Sequence, residues 1–262
     1  LILLSKGDII MQGRLHSIET MGLVDGPGIR TIFFLQGCPL RCAYCHNPDS
    51  QNMFSQKHIS PEEVLKTASK YKAYYNRTGG GVTFSGGEPL LQGEFLVEAL
   101  KLLKENGFNT AIDTSGYGDS KYYDEILKYT DVVLLDIKHF DSPGYKALTG
   151  KSMNGFYEFA SKLDSFKGKV WIRHVMVPGL TDNEAAINKL FHEIAPLAHI
   201  IEKIEVLPYH KMGLEKYEKL GMPYTMADVE EMNEDKAKYY ENLLNSMLLE
   251  EKEEVLARKN II

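Results

Sequence analysis

The sequence predicts an α/β fold: a partial (β/α)6 barrel, open on one side, with a C-terminal helical extension. Three observations lead there. Short β-branched or aromatic runs alternate with segments whose apolar residues recur at three- and four-residue spacing, the pattern of βαβ units and a parallel sheet. Six of these runs qualify as parallel strands, two short of a closed eight-stranded barrel. Of 262 residues, 44% are apolar and 25% charged, the mix of a globular chain with a sizeable core, which excludes disorder, collagen and coiled coil as whole-chain descriptions.

Residues 13–19 form the first strand, too close to the next for a helical crossover, so they pair antiparallel as an edge or hairpin. The parallel series is 29–36, 81–85, 110–113, 131–138, 169–177 and 203–207. Ser60-Pro61-Glu62-Glu63 reads as a capping box with Pro at the first helical position, opening a helix toward Tyr75. Residues 94–106 are amphipathic through Phe95, Leu96, Ala99, Leu100, Leu102 and Leu103, and Gly107 stops them. Thr181-Asp182-Asn183-Glu184 is a second capping box, opening a helix to about Leu197. After His210 a loop rich in Gly, Tyr and Lys precedes a charged amphipathic helix over about 228–259. Met11 reads as the natural start, so residues 1–12 are an N-terminal extension. Residues 13–262 are a single domain, with a core of about 29–210 and a C-terminal extension of about 211–262.

A net charge of −6 argues against a broad basic face for nucleic acid or anionic membrane. No apolar run approaches the roughly 18 residues of a membrane span, and Leu1-Ile2-Leu3-Leu4 is too short for a secretory signal. The three cysteines all fall between positions 38 and 45. That is no disulfide framework; it points to the cytoplasm and to a metal or redox site.

Cys38, Cys42 and Cys45 form CxxxCxxC directly after the apolar strand Thr31-Ile32-Phe33-Phe34-Leu35. Three thiolates so close in sequence converge on one inorganic centre if the chain wraps around it, and Gly37 and Pro39 suit that wrapping. A fully ligated iron–sulfur cluster takes four thiolates, so one iron of a four-iron cluster would be left without a protein ligand. The alternatives are structural zinc with His46 as fourth ligand, in a binding module, or three unligated core cysteines.

Cys38-x-x-x-Cys42-x-Tyr44-Cys45-His46-Asn47 resembles the cluster loop of the radical S-adenosylmethionine (SAM) superfamily. Val24-Asp25-Gly26-Pro27-Gly28-Ile29-Arg30, with Phe33 and Gln36-Gly37-Cys38, is similar to the signature of glycyl-radical-enzyme activases, and the chain from Gly13 to about His210 most resembles those acting on pyruvate formate-lyase. The resemblance implies a [4Fe-4S] cluster on Cys38, Cys42 and Cys45, whose exposed iron chelates SAM. It also implies the radical SAM type of partial barrel.

Other positions fit this frame. Gly86-Gly87-Glu88-Pro89 by itself is an ordinary turn; the resemblance makes it the motif that meets the SAM amino group. Charged residues closing apolar strands, Asp113-Thr114 and Asp136-Ile137-Lys138, lie at the carboxyl ends where parallel sheets bind ligands. By resemblance Asp113, Thr114 and Asp136 hold a monovalent cation (Na+ or K+), while Tyr44, Cys45, His46, Gly86, Gly87, Glu88, Asp136, Ile137, Lys138, Arg173 and His210 contact SAM. Ser115 stands where the family pattern has Asn. His16, His139, His174, His192 and His199 are read as structural or surface residues. Cys38, Gly86, Asp113, Asp136, Pro178 and His210 each follow a strand, so a parallel sheet gathers them on one rim.

The activity this implies is that of an oxidoreductase: SAM is cleaved reductively, and the 5′-deoxyadenosyl radical takes hydrogen from a glycine of a partner enzyme. Pyruvate formate-lyase is the expected partner, with anaerobic ribonucleotide reductase as the alternative, and a flavodoxin or ferredoxin the electron donor to a monomer. Activases with an inserted cysteine-rich segment are excluded, because every cysteine is in the loop. Asp25, Gly26, Pro27, Gly28 and Arg30 are the expected partner-binding residues, the alternative being a Gly-Pro-Gly turn between two strands.

Overall fold

The computed structural model describes residues 11–259, so all but the last two residues of the expected extension at 1–12 lie outside the described residues. Its strands are β1 (Gly13–Gly22), β2 (Arg30–Leu35), β3 (Lys57–Ile59), β4 (Gly81–Gly86), β5 (Thr110–Thr114), β6 (Val132–Asp136), β7 (Lys169–Met176) and β8 (Ile201–Pro208). They form one open sheet in the order β3-β1-β2-β4-β5-β6-β7-β8. From β2 to β8 every pairing is parallel, while β1 pairs antiparallel with β2. This is the partial barrel expected, six parallel strands with an antiparallel strand at one side. The added edge strand β3 pairs antiparallel with β1. At three residues, two of them exposed, it is too short to leave a pattern in sequence.

The crossovers are helical: α1 (Pro61–Ser69) and α2 (Lys72–Thr78), then α3 (Gly93–Glu105), α4 (Tyr123–Lys128), α5 (Ser142–Thr149), α6 (Asn154–Leu163) and α7 (Glu184–Ile194). Ser60 and Glu63 close the reciprocal capping box of α1. The helix expected to run toward Tyr75 breaks at Lys70 and Tyr71, and restarts so that Tyr75 packs inward and its hydroxyl meets Thr31 Oγ1 at 2.5 Å. The second box is corrected by two residues: Asn183 caps α7, accepting from Ala186 N, while Thr181 Oγ1 accepts from Val177 N and Asp182 from Gly179 N. The segment after His210, read as a loop up to about 228, includes α8 (Leu214–Leu220), and the terminal helix expected from about 228 begins only at Glu234. The last helix, α9 (Glu234–Lys259), packs Ala237, Tyr240, Leu244 and Leu248 into the core, beside β8 and α7.

Side chains along a strand alternate between two faces. Phe33, Val82, Phe84, Ile112, Val133, Leu135, Ile172 and Ile204 join the helices in one large core. Their neighbours Ala111, Val132, Leu134 and Trp171 form a small apolar floor on the other face. Two residues further along the same strands come Asp113, Asp136 and Arg173, so the alternation that builds the floor also sets charges above it.

Candidate active site

Above that floor lies a cavity of about 270 Å³ at the carboxyl ends of the parallel strands, lined by the three cysteines and by residues from every parallel strand or the loop after it. The cysteine loop leaves β2 through Gly37 and is tied down at both ends. Gly37 N donates to Ser50 O at 2.8 Å, and the Gln36 side chain donates to Asp49 O and Asn52 O. Further along, Arg41 N and Ala43 N donate to Thr149 O and Leu148 O at the end of α5. Cys38, Cys42 and Cys45 are free and all line the cavity.

Burial pushes the Cys38 thiol up to about 12, with Glu88 adding to it, and the Cys42 thiol up to about 11. Thiolates there need a cationic centre to offset them. Among the described residues no three His, Cys, Asp or Glu side chains are close enough to hold a single metal ion. A tetrahedral zinc would bring its sulfurs to within about 4 Å of one another. All three cysteines line one cavity, the placement a shared inorganic centre requires.

The Gly86-Gly87-Glu88 turn backs onto this loop. Glu88 N donates to Gly37 O, and a Cβ on Gly87 would sit 2.2 Å from that oxygen, so only glycine permits the approach. Gly86 and Gly87 line the cavity. Glu88 itself is outside the lining: its carboxylate is buried and engaged four times, by Leu90 N, Thr114 Oγ1, Ser115 N and Ser115 Oγ at 2.5–3.1 Å. Burial raises its pKa and these donors oppose the rise. Ser115, where the family pattern has Asn, therefore anchors Glu88 and joins the loop after β4 to the end of β5.

The charged wall comes from β5, β6 and β7. Asp113 Oδ2 accepts from Ser85 Oγ at 2.8 Å and from Arg173 Nη1 at 3.2 Å, two strands away, while its buried Oδ1 has no partner. Lys138 Nζ donates to Asp136 at 2.6 Å. Burial works against that ammonium, yet Asp136 holds its pKa well above the ordinary lysine value. Arg173 is thus a cleft residue, buried and facing Asp113 and Glu205. Tyr44 lines the cavity with a buried, unpartnered hydroxyl. Asp113 Oδ1 and the Tyr44 hydroxyl are thus buried polar atoms without a partner on residues that line the cavity.

Several expected positions lie elsewhere. Ile137 is fully buried among the apolar residues on the helix side, and His174 meets its carbonyl at 2.7 Å. His210 is outside the lining; it stacks on His46 with centroids 4.0 Å apart, and so backs a residue that does line it. Thr114 lines the cavity, but its hydroxyl donates to Glu88 and accepts from Gly116 N. Arg30 is corrected most clearly: it is 0% exposed and touches no outer surface. The sequence reading passed over Phe34, Leu40, Asn47, Ser85, Val175 and Leu207, all in the lining. Strand alternation was the available signal for Ser85, which lies on the same face as Thr83 and next to Asp113.

A family model described as the radical SAM superfamily matches residues 32–191. The chain is 55% identical over 239 residues to a pyruvate formate-lyase-activating enzyme of Clostridium pasteurianum, covering 91% of this chain and 100% of the relative. It is 46% identical over 236 residues to that of Staphylococcus epidermidis, covering 87% and 94%. A crystallised domain of a pyruvate-formate lyase-activating enzyme from Bacteroides vulgatus superposes with a TM-score of 0.52 at 26% identity, over 64% of this chain and 94% of that one. The chain belongs to the radical SAM superfamily and, within it, to the family of pyruvate formate-lyase-activating enzymes.

Proposed function

We propose that the chain activates pyruvate formate-lyase by generating a glycyl radical in it. One observation carries the reading: three cysteines of one loop, a close-packed Gly-Gly turn and the charged ends of three strands open onto a single cavity. Cys38, Cys42 and Cys45 would hold a [4Fe-4S] cluster, which when bound beside SAM would supply the electron for reductive cleavage of SAM and so the means of taking hydrogen from the partner's glycine.

The chain's own residues bind and orient. Lys138 and Arg173 supply positive charge for a carboxylate, and Asp136, Asp113 and the backbone of Gly86 and Gly87 supply acceptors for an ammonium group. A monovalent cation, Na+ or K+, held by Asp113, Asp136 and the backbone of Thr114 is part of the proposal. The unpartnered Asp113 Oδ1 supports it, since two carboxylates beside a third repel unless a cation intervenes. His46, braced by His210, and Tyr44 would border the nucleoside. A flavodoxin or ferredoxin as donor, a monomeric state and a cytoplasmic setting complete the proposal. Three free cysteines support the setting, and among the described residues no helix is long and apolar enough to cross a membrane.

Anaerobically reconstituted protein should bind about four irons per chain. With a reductant, SAM and pyruvate formate-lyase it should give a glycyl doublet by electron paramagnetic resonance. Cys42→Ala should lose SAM cleavage below detection; full cleavage by that variant would reject the cluster assignment.

A further inference from the structure

Residues 45–49 close the cysteine loop, and the C-terminal extension grips them from outside. His46 Nε2 meets His210 O at 3.2 Å while the two rings stack. At Gly213 the extension runs directly over the loop: a Cβ there would stand 3.0 Å from His46 Cα and 3.1 Å from Cys45 O, so the two backbones meet with no side chain between them. In α8, Lys216 Nζ donates to Asn47 Oδ1 at 2.6 Å, 169 positions away, and lies 3.7 Å from Asp49 Oδ1. Asp49 Oδ2 is held from the other side by His16 Nε2 on β1 at 2.8 Å. The end of the loop is thus caught between a strand and a helix.

Seven residues of helix are too few to persist alone, so α8 depends on what it touches. Behind it, Lys211 donates through Nζ to Ala227 O at 2.6 Å and through its backbone N to Glu231 Oε1 at 2.7 Å. Tyr217, 5% exposed, packs against Tyr224, whose hydroxyl meets that of Tyr209 at 2.8 Å. On the outer side Lys219 pairs with Glu215 at 2.8 Å, and both are exposed. The helix buries one tyrosine, gives one lysine to the cysteine loop and leaves the other in water.

We propose that α8 is a clasp on the cysteine loop and that Lys216 is its positioning residue, holding 45–49 closed so that the loop keeps its ligating shape. A loop ordered in advance loses less conformational freedom when its ligand binds. The clasp also covers the Cys45 side of the loop, and so governs how fast small reagents reach that thiol. Its link to a cluster rests on the functional reading above; the clasp itself does not.

Lys216→Met keeps most of the stem and removes the charge. Losing a hydrogen bond from a charged group, discounted for a side chain 41% exposed, should raise local opening about fivefold. In the full-length protein without metal, amides 45–50 should exchange, and Cys45 should react with iodoacetamide, about fivefold faster, at an unchanged urea midpoint. After anaerobic reconstitution the variant should lose its iron–sulfur absorbance in air faster by the same factor. Lys216→Arg, which still reaches Asn47 and Asp49, should restore all three rates, and Lys219→Met, on the exposed side of the same helix, should leave them as they are. Unchanged rates in Lys216→Met, an equal effect of Lys219→Met, no rescue by arginine, or a quickening that merely follows a lower urea midpoint would overturn the proposal. Should the parent chain take up no iron, the functional reading fails instead, and exchange and alkylation of the metal-free protein still judge the clasp.

Discussion

Single residues in this protein are defined by what they face. Glu88 and Asp113 are both buried carboxylates, yet Glu88 has four donors and Asp113 leaves one oxygen unmatched. The first holds loops together, and the second keeps an unmatched oxygen on a residue that lines the cavity. His174 gives a pH test. Fully enclosed, with its ring bonded at Nδ1 to Ile137 O, it has its pKa pushed down to about 4 by burial. An unfolded chain takes up the proton near pH 6.5 and the folded chain does not. His174 therefore costs nothing above pH 6.5, and stability falls as the pH drops from 6.5 toward 4. By pH 4.5 that loss should reach about 2 to 3 kcal/mol. His174→Asn keeps a donor but cannot titrate, so urea unfolding should show a correspondingly smaller drop between pH 7 and pH 4.5. An equal drop in both proteins would assign the acid sensitivity elsewhere.

Among the elements, the edge strand β8 and the helix α9 show how an open barrel survives. A bare strand edge invites pairing with another chain. Here Asn245 on α9 matches both free groups of Ile204, accepting from its N–H at 3.0 Å and donating to its carbonyl at 2.8 Å, while Glu241 accepts from Val206 N. Two side chains of a helix thus stand in for a ninth strand. Asn245→Leu should leave the Ile204 pair unmet, lower stability by about 2 kcal/mol and raise light scattering at high concentration. A variant as stable and as monodisperse as the parent would show that the edge needs no cover. The terminal helix was visible in sequence from its periodicity, but its partner was not, because one amphipathic stripe fits any apolar groove. The capping box at Ser60 was legible since its partners lie three residues apart. The cap of α7 was misplaced because Thr181, Asp182 and Asn183 are all competent caps, and the turn at Val177 and Gly179 claims the first two.

At the scale of the whole molecule, helices cover one face of the sheet and leave the other to a small floor and a polar cavity. The fully enclosed amides of β4, β5 and β6 should exchange slowest with solvent, and those of 211–233 fastest; slow exchange across 211–233 would mean that this segment belongs to the main cooperative unit. Sequence by itself determined the six parallel strands, the antiparallel strand beside them and the loop that carries the three cysteines, because these depend on periodicity and on neighbours within a few positions. It also assembled most of the rim, since strand ends in a parallel sheet fall together whatever the loops between them do. Only the tertiary structure decided which way each side chain at that rim turns. Glu88 turns inward to Thr114 and Ser115, Arg30 inward to Thr83 and Asn109, and Arg173 across to Asp113. Those choices are set by partners 26 to 79 positions away, and the hydrogen bonds that fix them exist only once the sheet has brought distant segments within 3.2 Å.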